Sequence, residues 1–281
     1  MLLMTPELEN YISGVIFFDE TIRQKATDGT SFIFVLETKG IDIGIKVDQG
    51  LEDMPGHAGE KITKGLEGLS ERLKEYKKMN TTFAKWRSVY SVGVNLPSRD
   101  CMQENANRLA SYSLFCQAED IVPIIEPEVL LDGDHSVEQC YEVTAKNLDI
   151  IFSEFKKREV FIPGLILKSS MVLSGKDSKE RASKEQVAEL TLKCLKEHVP
   201  QDIGAIVFLS GGQSEEEATE HLNLMHRMGA LPWNLTFSFS RALQNSVLKH
   251  WATSPSDVAG AQGLLLEAAR RNSLASVGKY K

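Results

Sequence analysis

The sequence lacks the features that identify disulfide-rich, nucleic-acid-binding or membrane-spanning proteins. Its four cysteines show no CxxC pairing and are too sparse for a disulfide framework, which is typical of a reducing compartment. With a net charge of -7 it has no basic block interleaved with aromatic residues, and no apolar run approaches the ~18 residues needed to cross a membrane. MLLM is too short for a signal peptide. We therefore expect a cytoplasmic protein without nucleic-acid or membrane partners.

Motifs for metals and dinucleotides are also missing. The six histidines are dispersed, and HLNLMH places His221 and His226 five residues apart, which does not put them on one helical face. No GxGxxG follows an apolar run. The sequence predicts no metal and no other cofactor, so its chemistry should depend on amines, carboxylates and bound phosphate.

The chain is long enough for one large domain. It has 281 residues, of which 42% are hydrophobic, and it contains no low-complexity tract or Pro/Gly-rich linker. Domains built as β/α barrels commonly have about 250 residues. We expect a single domain over residues 1–281.

Buried strands are predicted to alternate with helices along the whole chain. Apolar runs without polar alternation are typical of strands covered on both faces, and helical spacing of apolar residues separates them. Thr5 and Pro6 predict a helix start in TPELENYI. The alternation favours an α/β fold of the TIM-type β/α barrel class, with seven of the eight strands that a closed barrel needs. The predicted strands cover residues 13–18, 41–47, 82–89, 121–126, 162–168, 204–209 and 234–239.

Six of these runs end on polar groups suited to a phosphorylated carbonyl compound. Catalytic groups of β/α barrels lie where several different strands finish. Six such endings in succession predict an active site at that end of the barrel. The runs are IDIGIKVDQG, FAKWR, IVPIIEPE, FIPGLILKSS, IVFLSGGQS and LTFSFSR.

Two lysines and two glutamates are candidates for catalysis. Lys168 follows an apolar strand, where loss of water lowers its pKa and leaves more free amine to attack a carbonyl; a snorkelling lysine is the alternative. Lys85 lies inside a buried run, where a charge is costly unless it faces a polar cavity. Pro127 favours extended backbone at Glu126, so Glu126 should point into the barrel mouth beside Glu128. A structural Glu and Lys network is the alternative.

Basic and glycine-rich endings are candidates for binding phosphate. Glycines allow backbone N–H groups to approach an anion, and barrels often bind phosphate after their last two strands. Surface ion pairs, with Asp48 as the partner of Lys46, and a helix-capping turn are the alternatives. The candidates are Lys46, Arg87, Ser210, Gly211, Gly212, Ser238 and Arg241.

Longer motifs resemble a known family in order and spacing. From SGVIFFDET to the final GKY the chain is similar to class I fructose-bisphosphate aldolases, most clearly in GIKVDQG, FAKWRSVY, VPIIEPEVLLDGDH, LILKSSMV and FLSGGQSEEEATEHLN. The resemblance implies reversible cleavage of fructose 1,6-bisphosphate to dihydroxyacetone phosphate and glyceraldehyde 3-phosphate, without metal, in a homotetramer.

The same resemblance implies a role for each candidate. Lys168 corresponds to the lysine that forms the Schiff base, and Glu126 to the group that carries protons, with Glu128 in support. Lys85 corresponds to the lysine that assists carbinolamine chemistry, and Lys46 to a phosphate ligand. Residues 210–212, Ser238 and Arg241 correspond to the phosphate-binding set.

The sequence departs from the family pattern at several positions. Ser169 and Ser170 stand where Pro-Asn is common, Ser240 stands where glycine is usual, and the family's terminal tyrosine is absent. The resemblance implies that this chain begins after the family's first barrel strand, which carries an aspartate used in cleavage. Two other interpretations therefore stay open: a catalytically impaired aldolase-like binding or assembly protein, and a Schiff-base aldolase for another phosphorylated ketose.

Overall fold

A parallel sheet of seven strands forms the centre of the protein. The structure, a computed structural model, describes residues 1–281. Every apolar run predicted as a strand contains one, because each buries residues against helices on the outside of the sheet. In the run predicted over 162–168, Ile162–Gly164 form a 3-10 helix instead, and the strand begins at Ile166. Numbered in chain order, the strands are β1 Gly14–Phe17, β2 Asp42–Lys46, β3 Leu51–Asp53, β4 Lys61–Thr63, β5 Thr81–Tyr90, β6 Val122–Val129, β7 Ile166–Ser169, β8 Ala205–Phe208 and β9 Leu235–Phe237.

The seven-stranded sheet is an open barrel. Its order is β1-β2-β5-β6-β7-β8-β9, all neighbours are parallel, and β1 does not pair with β9. Seven of the eight strands of a TIM-type barrel are therefore present, as the sequence predicts. The antiparallel hairpin of β3 and β4 was not predicted.

Helices cover the outer face of the sheet. Ser136, Ser183 and Ser214 start three of them with capping boxes, in which the serine hydroxyl accepts a backbone N–H and the Gln or Glu three residues later accepts the serine N–H. No helix is both long and apolar enough to cross a membrane. The helices are α1 Asp19–Ile22, α2 Phe32–Lys39, α3 Leu69–Lys77, α4 Arg99–Ala118, α5 Val137–Lys157, α6 Lys184–His198, α7 Glu215–Arg227, α8 Arg241–Thr253 and α9 Val258–Ala275.

The helix predicted in TPELENYI is wrong. Only a 3-10 turn forms there, over Leu8–Asn10, because Glu7 has a left-handed backbone with a φ of 62°. A right-handed helix cannot pass through that conformation. Thr5 is buried and its hydroxyl has no hydrogen-bond partner, so it does not act as a cap.

Alternation along β5 shows how the fold separates core from site. Ala84 and Trp86 are fully buried, and the Trp86 ring lies 5.5 Å from that of Tyr112 on α4. Because successive side chains of a strand point to opposite faces, Lys85 and Arg87 point to the inside of the barrel. The same period brings the polar ends of the other strands to the inner face.

Candidate active site

Glu126 lies between two buried lysines at the carboxyl end of the sheet. The β6 and β7 register pairs Ile125 with Leu167, so the next residues on the two strands are Glu126 and Lys168. Glu126 Oε1 is 3.2 Å from Lys168 Nζ, and Glu126 Oε2 accepts a hydrogen bond of 2.5 Å from Lys85 Nζ. All three side chains are at most 10% exposed. We call Lys85, Glu126 and Lys168 the amine–carboxylate cluster.

Burial and charge tune this cluster for proton transfer. Burial lowers the pKa of Lys168; Glu126 opposes this shift, and Lys85 adds to it. Burial raises the pKa of Glu126, but the ammonium groups of Lys168 and Lys85 more than offset this, so that its pKa lies below the ordinary value. The site therefore holds an amine that loses its proton more readily than usual beside an ionised carboxylate that can accept one.

Two cations lie at the rim, each beside a carboxylate. Lys46 Nζ is 2.6 Å from Asp48 Oδ1, and Arg87 Nε is 2.5 Å from Glu128 Oε2. The Lys46 side chain is 21% exposed and that of Arg87 34%, so both remain accessible to a ligand. Glu128, expected beside Glu126, has its hydrogen bond to Arg87 instead.

The glycine turn after β8 lies against the start of α8. Ser210 Oγ accepts a hydrogen bond of 3.3 Å from the Ala242 N–H. A Cβ on Gly211 would lie 3.4 Å from Arg241 Nη2 and 3.0 Å from Glu128 Oε1, so the guanidinium of Arg241 is beside the turn. Ser238, just beyond β9, is half-buried and its N–H donates to Phe208 O. We call residues 210–212 the glycine turn.

Gly212 is a position where only glycine fits. Its φ is 75°, and an added Cβ would clash with Cδ1 of Leu131. Gly212→Ala is expected to lower the free energy of unfolding by about 2 kcal/mol or more, and to raise KM for a phosphorylated substrate because the turn must shift. Urea unfolding and steady-state kinetics measure both.

Gly56 provides a matched control for this substitution. Its φ is 78°, but an added Cβ would meet no atom within 4 Å. Gly56→Ala should cost only the backbone strain, about 1 kcal/mol, and leave KM unchanged. Equal effects of the two substitutions on KM would show that the glycine turn does not contact substrate.

Sequence reasoning missed two groups that support the site. Asp48, weighed only as an ion-pair partner, also accepts a hydrogen bond of 3.2 Å from the Arg87 N–H and so joins β2 to β5. The sequence does carry a signal for Asp48: it lies two residues beyond Lys46, and side chains two residues apart on an extended strand point to the same face. Gln213 Oε1 is 2.7 Å from His221 Nδ1, and burial lowers the pKa of His221 to about 4. A neutral His221 thus fixes the residue that follows the glycine turn.

Neither of two surface concavities overlaps the amine–carboxylate cluster. One of about 440 Å³ lies beside His226 and Trp233, and one of about 410 Å³ lies between the β3–β4 hairpin and α4. No group of three or more His, Cys, Asp or Glu side chains is arranged to hold a metal ion.

A buried amine beside a carboxylate, at the strand ends of a β/α barrel, is an arrangement suited to an enzyme that acts on carbonyl compounds. The family model for class I fructose-bisphosphate aldolase matches residues 1–281. The chain therefore belongs to the class I fructose-bisphosphate aldolase family, whose members are carbon–carbon lyases, and the resemblance in the sequence is confirmed.

Individual relatives support the same assignment. A probable class 1 fructose-bisphosphate aldolase of Xanthomonas campestris is 49% identical over 282 residues, covering 100% of this chain and 84% of the relative. Fructose-bisphosphate aldolase 5, cytosolic, of Arabidopsis thaliana is 46% identical, covering 100% and 78%. The Plasmodium falciparum fructose-bisphosphate aldolase, solved with TRAP and a small-molecule inhibitor, has a TM-score of 0.98 and 44% identity, covering 100% and 81%.

Proposed function

We propose that this aldolase cleaves fructose 1,6-bisphosphate through an iminium on Lys168. The observation that carries the proposal is the position of Glu126, 3.2 Å from the Lys168 amine and hydrogen-bonded to Lys85. A nucleophilic amine needs to lose a proton before attack, and a carboxylate within hydrogen-bond reach can accept it. A purely structural ion network is the alternative, and trapping of an iminium on Lys168 distinguishes the two.

The proposed reaction begins with attack of the Lys168 amine on the substrate ketone. Glu126 accepts a proton from the amine and returns one to the carbinolamine oxygen, which leaves as water and gives the iminium. The carboxylate of Glu126, ionised again, accepts the C4 hydroxyl proton as the C4 carbonyl forms and the C3–C4 bond breaks. The electron pair of that bond moves into the iminium to give an enamine. Glyceraldehyde 3-phosphate leaves first. Protonation and hydrolysis of the enamine release dihydroxyacetone phosphate and restore Lys168.

The proposed roles of Lys85 and Glu128 are supporting ones. Lys85 holds the carboxylate of Glu126 by its 2.5 Å hydrogen bond, and its charge helps to lower the pKa of Lys168. Glu128 fixes the guanidinium of Arg87 at the rim. The role of Lys85 depends on burial, because charges that are removed from water interact more strongly.

Phosphate ligands are proposed on both sides of the cluster. The amine–carboxylate cluster lies on β5, β6 and β7; β2 and β5 end in the cations on one side, and β8 and β9 lead to the second set on the other. A substrate with a phosphate at each end would be held at both ends by these groups. A guanidinium group can bind two oxygens of one phosphate in a bidentate manner. The proposed ligands are Lys46, Arg87, Ser210, Gly211, Gly212, Ser238 and Arg241.

The remaining features are proposed from family likeness. The chain would act in glycolysis or gluconeogenesis as one domain, without metal or other cofactor, in a cytoplasmic homotetramer. The support is the family resemblance together with the relative from Arabidopsis thaliana, whose name includes the word cytosolic. No nucleic-acid or membrane partner is proposed.

The pH dependence of iminium formation tests the assignment of Lys168. Borohydride reduces an iminium to a stable amine, so the rate of inactivation by borohydride with dihydroxyacetone phosphate should rise with pH through the lowered pKa of Lys168. Glu126 raises that pKa and Lys85 lowers it. The midpoint should therefore move to lower pH in Glu126→Gln and to higher pH in Lys85→Met. Shifts in the reverse directions would contradict the assignment.

A further inference from the structure

Ser170 bonds the ends of the two strands that carry the reacting groups. Its hydroxyl accepts a hydrogen bond of 3.1 Å from the Val129 N–H and lies 3.4 Å from the Val129 carbonyl oxygen, to which it donates. Ser170 is 6% exposed. One side chain thus satisfies both backbone groups of Val129, the last residue of β6.

The hydrogen bonds of Ser170 lie beyond the last backbone pairing between β6 and β7. The last register pair between β6 and β7 is Ile125 with Leu167, yet β6 continues four residues further, to Val129. On its other side β6 is held by β5, where Tyr90 pairs with Val129 and accepts the Leu130 N–H. On the β7 side, the hydroxyl of Ser170 holds the end of β6.

The location of this contact ties it to the amine–carboxylate cluster. Ser170 is two residues beyond Lys168, and Val129 is three residues beyond Glu126. The distance of 3.2 Å between Lys168 Nζ and Glu126 Oε1 depends on how these two strand ends lie against each other. A displacement of about 1 Å between reacting groups can cost on the order of 100-fold in rate.

We propose that Ser170 is a positioning residue that holds Lys168 and Glu126 in register for iminium formation. The proposal rests on the proposed function, since it assumes that proton transfer between these two groups limits formation of the adduct. Ser170 acts through the backbone of β6 and does not itself carry a proton in the reaction. Its removal should therefore lower kcat more than it changes KM.

Three variants test the proposal. Ser170→Ala removes the hydroxyl, and Ser170→Thr keeps it. Ser174→Ala is the matched control, because Ser174 is 5% exposed and its hydroxyl accepts the Ala182 N–H at 3.2 Å, within the same connection between β7 and α6. For each variant we would measure kcat and KM for cleavage, the rate of the borohydride-trapped adduct at saturating dihydroxyacetone phosphate, and amide hydrogen exchange of Val129.

Ser170→Ala should slow trapping on Lys168 by about tenfold or more, change KM by less than about threefold, and speed exchange of the Val129 amide. Ser170→Thr should restore most of the rate, and Ser174→Ala should keep wild-type trapping and Val129 exchange. Trapping at the wild-type rate in Ser170→Ala would overturn this inference alone. Failure to trap wild-type Lys168 at all would overturn the proposed function, and this inference with it.

Discussion

Lys168→Met is expected to lower kcat for fructose 1,6-bisphosphate cleavage on the order of 10⁴-fold or more, because loss of a covalent nucleophile removes the whole pathway. The fold should survive, since methionine occupies a similar volume in this buried position and Glu126 keeps Lys85 as its counter-ion. Cleavage by purified protein is measured with a coupled assay, and circular dichroism confirms the fold.

Lys176→Met is the matched control for this result. Lys176 also follows β7, but its side chain is 57% exposed and pairs with Asp132. Because exposed ion pairs contribute little, this variant should keep kcat within about twofold of wild type. More than about 1% of wild-type activity in Lys168→Met would argue against a covalent role for Lys168.

Glu126→Gln should have the second largest effect. It preserves the shape of the side chain but removes the carboxylate charge that both buried lysines contact. We expect kcat to fall by about 10²- to 10⁴-fold through loss of general acid–base catalysis. Breaking a buried charge pair should also lower the free energy of unfolding by about 3 kcal/mol or more. Steady-state kinetics and urea unfolding measure the two effects.

Glu154→Gln separates catalysis from burial of a carboxylate. Glu154 on α5 is 7% exposed, and its carboxylate lies 3.5 Å from Lys157 and 3.3 Å from Gln103, away from the amine–carboxylate cluster. This variant should lose some stability but keep its kcat. A kcat of Glu126→Gln within tenfold of wild type would remove Glu126 from the proposed proton transfers.

The strands of the barrel were predictable because buried strands appear in the sequence as uninterrupted apolar runs. In runs such as AIVFL the residues on both faces of the strand are apolar, which is typical of a strand whose two faces are both covered. The β3–β4 hairpin gave no such signal, because Leu51, Glu52 and Asp53 are all exposed. The helix predicted at Thr5 and Pro6 failed because the left-handed backbone of Glu7 cannot be read from residue type.

The members of the site were more predictable than their contacts. Strand ends placed Lys85, Glu126 and Lys168 in one site, and the structure brings these three together. Which carboxylate pairs with which cation depends on register and side-chain length. Arg87 pairs with Glu126 in the register of β5 and β6, but its side chain bonds Glu128, two residues further along β6. Ser170 bonds the backbone of Val129 on β6, a contact for which the sequence gives no signal.

The most direct test of the central claim is the location of the reduced adduct. The protein is treated with dihydroxyacetone phosphate and borohydride, digested, and mapped by mass spectrometry. An iminium at the amine–carboxylate cluster predicts one modified residue, Lys168, in a peptide containing LILKSSMV. Modification of Lys85 or another lysine, or folded protein without any adduct, would contradict the claim that Lys168 is the nucleophile.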